Sequence, residues 1–169
     1  MSSTRDRILD ALETVLVEAG PAGATLEAVA AKAGVSKGGL LYHFGTKEAL
    51  FTGLCDRLRA LGEADASHVH GDVIASYLAT SATAQDAYTR TLVAALRLVG
   101  TSGVEVEQAI VDSLDHWRAV LGEEISDPAL LRLVMLVGDG LYLRALIGAP
   151  ADPVDADLPD LIGRVIQGE

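Results

Sequence analysis

Apolar positions recur with a helical period along almost the whole chain, and no stretch shows the alternation typical of a strand. Near the start, the apolar stripe predicts a helix over 4–19, which Gly20-Pro21 should end. Thr25, Ser36 and Thr46 are good helix-capping residues and begin the next three predicted helices, over about 25–34, 36–44 and 46–61. After a small polar segment at 62–72, the period predicts further helices at about 72–82, 84–101, 103–121, 127–148 and 156–167. The pattern therefore predicts an all-α protein.

The second and third predicted helices have the features of a helix-turn-helix. Gly34 allows a left-handed turn between them, and Val35 can plug the turn into the core. Glu27 comes early in the second helix, where a negative charge suits the helix N-terminus. The outer face of the third helix would show Lys37, Gly38, Tyr42 and His43. We therefore predict a three-helix DNA-binding head over 1–46 and a helical domain over 47–169.

Two adjacent glycines, Gly38 and Gly39, interrupt the third helix. Each should cost about 1 kcal/mol relative to alanine in a helix interior. Because they carry no side chain, they would let the helix backbone approach DNA closely and leave room for a thymine methyl. The glycines therefore point to the face of the helix that meets the nucleic acid.

The charge is divided unevenly along the chain. The formal net charge is −11, yet residues 1–60 balance to zero and residues 61–169 carry the whole excess. A neutral head with local basic positions can dock on a polyanion although the body is acidic. The polar N-terminus shows no signal peptide, and Arg132, Asp139 and Arg144 interrupt the most apolar run, at 129–149. We therefore expect a cytoplasmic protein that does not enter the membrane.

The stretch TLEAVAAKAGVSKGGLLYHFGTKEALF, at 25–51, resembles the DNA-binding signature of the TetR/AcrR family of bacterial transcriptional repressors. The resemblance covers about residues 5–55. It lies in the pattern of Ser36, Gly38, Leu40, His43, Phe44, Lys47, Glu48 and Leu50. The family is a class of homodimers that bind a palindromic operator and are released by a small-molecule effector, so the resemblance makes 47–169 a regulatory and dimerisation domain.

The resemblance also implies which residues contact double-stranded DNA. The third helix would enter the major groove, where Lys37 can read guanine while Tyr42, His43 and Lys47 contact the phosphate backbone. Leu41 departs from the family, which commonly has an aromatic residue there, and Tyr42 is the neighbouring replacement. The predicted DNA-binding residues are Thr25, Ser36, Lys37, Gly38, Gly39, Tyr42, His43 and Lys47.

A single recognition helix covers few base pairs, so a symmetric homodimer is expected. The resemblance places its interface on the last two helices, which are rich in apolar residues. Alternatively, both helices complete the core of a single chain. The predicted interface residues are Leu130, Val134, Leu141, Leu158, Leu161, Ile162 and Val165.

The family's second domain usually holds the effector, and a few large or polar residues on otherwise apolar helices are candidates to line its site. They are Tyr88, His116, Trp117, Met135, Asp139, Tyr142 and Arg144. The alternative is a DNA-binding regulator of the same fold that has no small-molecule ligand and is either constitutive or controlled by a protein partner.

Other functional classes find little support in the sequence. His68-x-His70 has no further ligand pattern, and Asp112, Asp115 and His116 have no nearby nucleophile, so neither a metal site nor an enzyme is expected. No phosphate-binding glycine loop is present, and no cofactor is predicted. A purely helical interaction module would leave the basic and aromatic residues of the third helix unexplained.

Overall fold

The structure, a computed structural model, describes residues 3–67, 71–84, 86–101 and 103–167. Within them the chain is helical and contains no strand, which confirms the predicted all-α class. The helices are α1 (Thr4–Gly23), α2 (Leu26–Ala33), α3 (Lys37–Phe44), α4 (Lys47–Ser67), α5 (Val73–Ser81), α6 (Ala87–Leu96), α7 (Val106–Glu124), α8 (Pro128–Leu146) and α9 (Leu158–Gln167). A short 3-10 helix, Pro153–Asp157, precedes α9.

Several helix ends differ from the prediction. In α1 the backbone leaves the helical conformation at Gly20 (φ 67°), the predicted stop, and one further turn follows to Gly23. Helix α6 is shorter than predicted at both ends, and α7 begins three residues after its predicted start. Gly100 and Gly103, which lie between the two helices, adopt φ values of 80° and 83°, and these values end the helical conformation there. The 3-10 helix lies in the acidic, proline-containing segment before α9, where the period predicts no helix until about residue 156.

The chain divides into two compact units, and the first comprises the described residues of Met1–Leu61 and Arg90–Ser113. Its core is built by the apolar stripes of α1 and α4, together with buried apolar residues from the other helical segments of this unit. The largest fully buried side chains there are Ile8, Leu12, Leu16, Val29, Leu40, Leu50, Leu54, Leu58, Leu98 and Val106. These residues fix the three helices of the head against the start of α4.

A buried carboxylate lies inside this first unit. Glu13 is 6% exposed, and its Oε1 accepts a hydrogen bond from Thr91 Oγ1 at 2.6 Å. Arg57 Nη1 lies 3.5 Å from the same oxygen and 2.6 Å from Asp10 Oδ1. Burial raises the pKa of Glu13, although the bond from Thr91 and the charge of Arg57 oppose the shift.

The second unit comprises the described residues of Gly62–Thr89 and Leu114–Glu169. Its core centres on Tyr77, whose ring lies 5.1 Å from that of Trp117 and whose hydroxyl donates to the Met135 carbonyl at 3.0 Å. Gly138 makes room for this tyrosine, because a side chain at that position would overlap the Tyr77 ring. Helices α8 and α9 both pack on α5, so this core holds the helices that carry the predicted interface.

Candidate nucleic-acid interface

Hydrogen bonds of the backbone and of capping side chains define the turn between α2 and α3. Thr25 Oγ1 accepts from the Ala28 N–H at 3.1 Å and caps α2. At the other end, Gly34 is left-handed (φ 66°), and its N–H donates to the Ala31 carbonyl at 3.2 Å. Ser36 Oγ then accepts from the Gly39 N–H at 3.0 Å and starts α3. The chain therefore folds locally into the helix-turn-helix that the sequence predicts.

One face of α3 is anchored in the first unit. Leu40 and Phe44 are buried, and the Arg5 guanidinium lies 4.6 Å from the centre of the Phe44 ring. Gly53 on α4 lets that ring approach, since a side chain there would come within 2.7 Å of it. The anchored face fixes which residues of α3 face outward.

The outward face of α3 carries Lys37, Gly38 and Tyr42, all of them exposed. The Tyr42 side chain is 87% exposed, and its ring meets the half-buried His43 ring edge-on at 5.4 Å. The structure therefore brings these predicted residues together on one surface of the head. Leu41 is half-buried, so Tyr42 is the more exposed of the two neighbours.

The two adjacent glycines have different surroundings. A Cβ at Gly38 would meet nothing closer than Ser36 Oγ at 4.0 Å, so internal packing does not require a glycine there. A Cβ at Gly39 would lie 3.2 Å from the same oxygen and 3.9 Å from the Val35 side chain, which is tight beside the capping bond. A side chain at Gly39 would crowd the Ser36 cap, whereas the packing of the head leaves room for one at Gly38.

Both lysines of the predicted interface have partners within the head. Lys47 is half-buried: its Nζ donates to the Pro21 carbonyl at 3.1 Å and lies 5.2 Å from the centre of the Phe51 ring. Lys37 Nζ donates to Glu27 Oε1 at 2.6 Å, and this bond lowers the pKa of the Glu27 carboxyl. Sequence reasoning assigned Glu27 only a helix-terminus charge, because the approach of α3 to α2 cannot be read from spacing alone.

The predicted effector residues occupy different surroundings in the second unit. Tyr142 Oη donates to Thr89 Oγ1 at 2.8 Å, and its ring lies 6.1 Å from that of Tyr88. His116 Nε2 is buried without a hydrogen-bond partner among the described residues.

Trp117 and Met135 are core residues of this unit, and Trp117 Nε1 donates to Asp65 Oδ2 at 2.8 Å. Burial raises the pKa of the half-buried Asp139. Arg144 is exposed, with its Nη2 3.4 Å from the Pro150 carbonyl oxygen. The structure therefore pairs Tyr88 with Tyr142 but distributes the other candidates between core and surface.

The predicted interface residues also divide by exposure. Val134 and Ile162 lie in the core of the chain itself, and Leu130, Leu141 and Leu158 pack partly against that core. Leu161 and Val165 are each 47% exposed. Other large apolar side chains on α8 or at its C-cap, which the sequence analysis did not name, are also exposed: Leu133, Leu136, Leu143 and Ile147.

The described residues also bear on metal binding and on membrane insertion. No group of three or more histidine, cysteine, aspartate or glutamate side chains is arranged there to hold a metal ion. None of the helices in the described ranges combines the length and apolar character needed to cross a membrane. The His68-x-His70 pair lies outside the described residues.

Two capped helices joined through a left-handed glycine, with exposed polar residues on the second, define a helix-turn-helix DNA-binding protein. The family model "Bacterial regulatory proteins, tetR family" matches residues 8–54. A second model, "Tetracyclin repressor-like, C-terminal domain", matches residues 71–166. The chain belongs to the TetR family of DNA-binding transcriptional regulators.

Solved structures agree with this assignment. A transcriptional regulator from Rhodococcus sp. Rha1 is 26% identical, with a TM-score of 0.71 over 98% of this chain and 97% of that one. The multidrug binding protein EbrR, in complex with imidazole, is 26% identical, with a TM-score of 0.50 over 98% and 96% of the two chains. The fatty acid degradation regulator FadR from Bacillus halodurans shares the fold at 19% identity, with a TM-score of 0.54 over 96% and 97%. Among curated protein sequences, no match was found.

Proposed function

We propose that the protein is a homodimeric repressor that binds a palindromic DNA operator through α3 and leaves it when a small-molecule effector binds. DNA is read by the head at 1–46, and 47–169 carries regulation and dimerisation. The observation that supports DNA reading by α3 most directly is the open surface at Gly38, beside the exposed Lys37 and Tyr42. This face offers a donor, a flat aromatic ring and close backbone approach.

The proposed contacts divide into those that position the protein and those that specify sequence. Lys37 is the reading residue, since its amine can donate to O6 and N7 of guanine. Tyr42, His43 and Lys47 bind the phosphate backbone. An ammonium group has three donors, so Lys47 can keep its bond to the Pro21 carbonyl while it contacts a phosphate. Thr25 contributes at the N-terminus of α2, where unpaired N–H groups favour an anion.

The test is selection of bound duplexes from a random pool, followed by filter binding of variants at several salt concentrations. Lys47→Ala should weaken binding to every duplex and reduce the slope of log K against log salt by about one unit. Lys37→Ala should lose affinity mainly for the selected operator, by about 1–3 kcal/mol. Equal losses of Lys37→Ala on operator and random DNA would contradict the reading role.

The proposed dimer is formed by the apolar face of α8 and α9. Leu161 and Val165 are exposed on α9, and Leu133, Leu136 and Leu143 are exposed on α8, so both helices offer apolar surface to a second copy. We propose these exposed residues as the main contacts. The more buried Leu130, Val134, Leu141, Leu158 and Ile162 then support the face from beneath.

The proposed effector acts in the second unit. EbrR, a relative of similar length, is a multidrug binding protein solved with imidazole, and this supports a ligand-responsive role. The half-buried Tyr88–Tyr142 pair and the unpartnered His116 Nε2 are the polar groups best suited to an organic ligand. A compound that stabilises the protein in a thermal-shift screen should also release it from its operator.

A second candidate is a regulator of the same fold without a small-molecule effector. It is favoured by Tyr77, whose ring and hydroxyl fill the centre of the second unit. Operator binding that no compound in a metabolite library weakens, by a protein that none of them stabilises, would favour this candidate.

A further inference from the structure

The ion pair between Glu27 and Lys37 places a carboxylate where the head is proposed to meet phosphates. Glu27 is the second residue of α2, close to the helix N-terminus at Thr25, and its side chain is 64% exposed. A carboxylate repels the DNA backbone. A surface adapted only to bind phosphates would therefore not carry a carboxylate at the N-terminus of α2. Its partner is the proposed reading residue, with a separation of 2.6 Å between Lys37 Nζ and Glu27 Oε1.

We propose that Glu27 is a specificity-determining residue. It stays paired with Lys37 on non-operator DNA, and it releases Lys37 only when the base edges of the operator bind the lysine. The inference rests on the proposed DNA binding by α3. On random DNA the paired lysine displaces few counterions, and the carboxylate adds repulsion. At an operator, the O6 and N7 acceptors of a guanine in register replace the carboxylate as the partner of Nζ. Glu27 therefore lowers affinity for wrong sequences more than for the right one.

An ordinary surface ion pair is the competing explanation. Exposed pairs contribute about 0–1 kcal/mol to stability, and the pair between Glu27 and Lys37 needs no function to exist. The head offers a matched comparison in Lys32 and Glu18, which are 3.1 Å apart and similarly exposed. That second pair joins α2 to α1 and has no residue on α3. The two glutamates can therefore be neutralised by the same substitution, and only one of them contacts the recognition helix.

The experiment measures dissociation constants of the full-length protein for the selected operator and for random duplex, over a range of salt concentrations. Glu27→Gln is expected to tighten binding to random duplex by about threefold or more and to steepen its salt slope by about one unit, because one more cation becomes free to bind phosphate. Operator affinity should change less, so the specificity ratio falls. Glu18→Gln should shift both affinities equally and leave the ratio unchanged.

A double-mutant cycle separates pairing from simple charge repulsion. In the Lys37→Ala background, Glu27→Gln should have a much smaller effect on random-duplex affinity, because no lysine remains to be released. An undiminished effect in that background, an unchanged specificity ratio in Glu27→Gln, or an equal fall of the ratio in Glu18→Gln would each overturn the inference while leaving DNA binding intact. Failure of the wild-type protein to discriminate any duplex would instead refute the proposed function, and the inference with it.

Discussion

At the residue scale, the adjacent glycines of α3 have separate physical reasons. Gly38 is the second residue of the helix and has open space around its Cα, whereas Gly39 lies beside the hydroxyl of Ser36 that caps the helix. A helix accepts two unfavourable residues only where other interactions compensate. For Gly39 the compensation is inside the head; for Gly38 we propose that it is the DNA.

Gly38→Ala should therefore separate stability from binding. Alanine raises helix propensity by up to about 1 kcal/mol without a clash, so the unfolding midpoint should stay or rise. Operator affinity should fall, because the added methyl stands between the helix backbone and the DNA. Thermal unfolding and filter binding measure the two effects. In Gly39→Ala, by contrast, the gain in helix propensity should be offset by crowding of the Ser36 cap. A loss of stability in Gly38→Ala would refute the distinction between the two glycines.

Two glycines of α8 offer a matched stability test. Gly138 is buried against Tyr77, and Gly140, two residues further along, has no atom within 4 Å of an added Cβ. Gly138→Ala should destabilise the protein by about 1–3 kcal/mol, because the tyrosine ring must move and give up its bond to the Met135 carbonyl. Gly140→Ala should be neutral or stabilising by up to about 1 kcal/mol. Denaturant unfolding of both variants measures the difference, and equal effects would contradict the packing role of Gly138.

At the element scale, the sequence predicts helix ends wherever a capping residue or a left-handed glycine stands. Thr25, Gly34 and Ser36 are such signals, and they place the helix-turn-helix to within a residue. Helices α6 and α7 begin three residues after their predicted starts, because Ala84-Gln85-Asp86 and the glycines at 100 and 103 do not interrupt the apolar period clearly. The period does not predict the bond between Glu27 and Lys37, since that contact joins two helices.

The apolar period of α8 could not tell inward from outward positions. This helix is apolar on nearly every side, so Val134 and Leu133 look equivalent in the sequence although one is buried and the other exposed. The buried side is selected by packing in the core of the second unit, where α8 contacts α5. The exposed side is the surface that we propose for the second copy.

Leu143→Glu on α8 should break the dimer. The side chain is exposed in the single chain, so its replacement should not disturb the core, but an unpaired charge in an apolar interface costs about 3 kcal/mol or more. Sedimentation equilibrium at micromolar concentration should give twice 17.6 kDa for the wild type and 17.6 kDa for the variant. Val111→Glu on α7, another exposed apolar residue, should remain dimeric. A wild-type protein of monomeric mass would contradict the proposal.

At the scale of the whole molecule, acidic charge dominates. The excess of −11 lies entirely in residues 61–169, a distribution that supports the proposed binding of DNA through the head. Two carboxyl groups are also shielded from water, Glu13 in the first unit and Asp139 in the second, and burial raises the pKa of both. Each unit therefore contains a carboxyl group whose ionisation opposes folding.

The contribution of these two carboxyl groups to the free energy of unfolding should consequently fall as the pH rises. A carboxyl group whose pKa is raised on folding stabilises the protein fully below its unfolded pKa, and this contribution is lost as the pH rises through the folded pKa. The ordinary pKa values are 4.5 for Glu13 and 3.8 for Asp139, so the loss begins near those values and extends upward. Urea unfolding at about pH 5 and at about pH 7.5 measures the difference.

Glu13→Gln provides the decisive comparison for this pH dependence. The amide keeps the shape of the side chain and can still accept the hydrogen bond from Thr91, but it does not titrate. The variant should therefore lose less stability between the two pH values than the wild type, and its advantage should be greatest at the higher pH. Glu123→Gln, at an exposed position on α7, should keep the wild-type slope. If the unfolding free energy of Glu13→Gln depended on pH as that of the wild type does, Arg57 would have to compensate fully for the burial of the carboxylate.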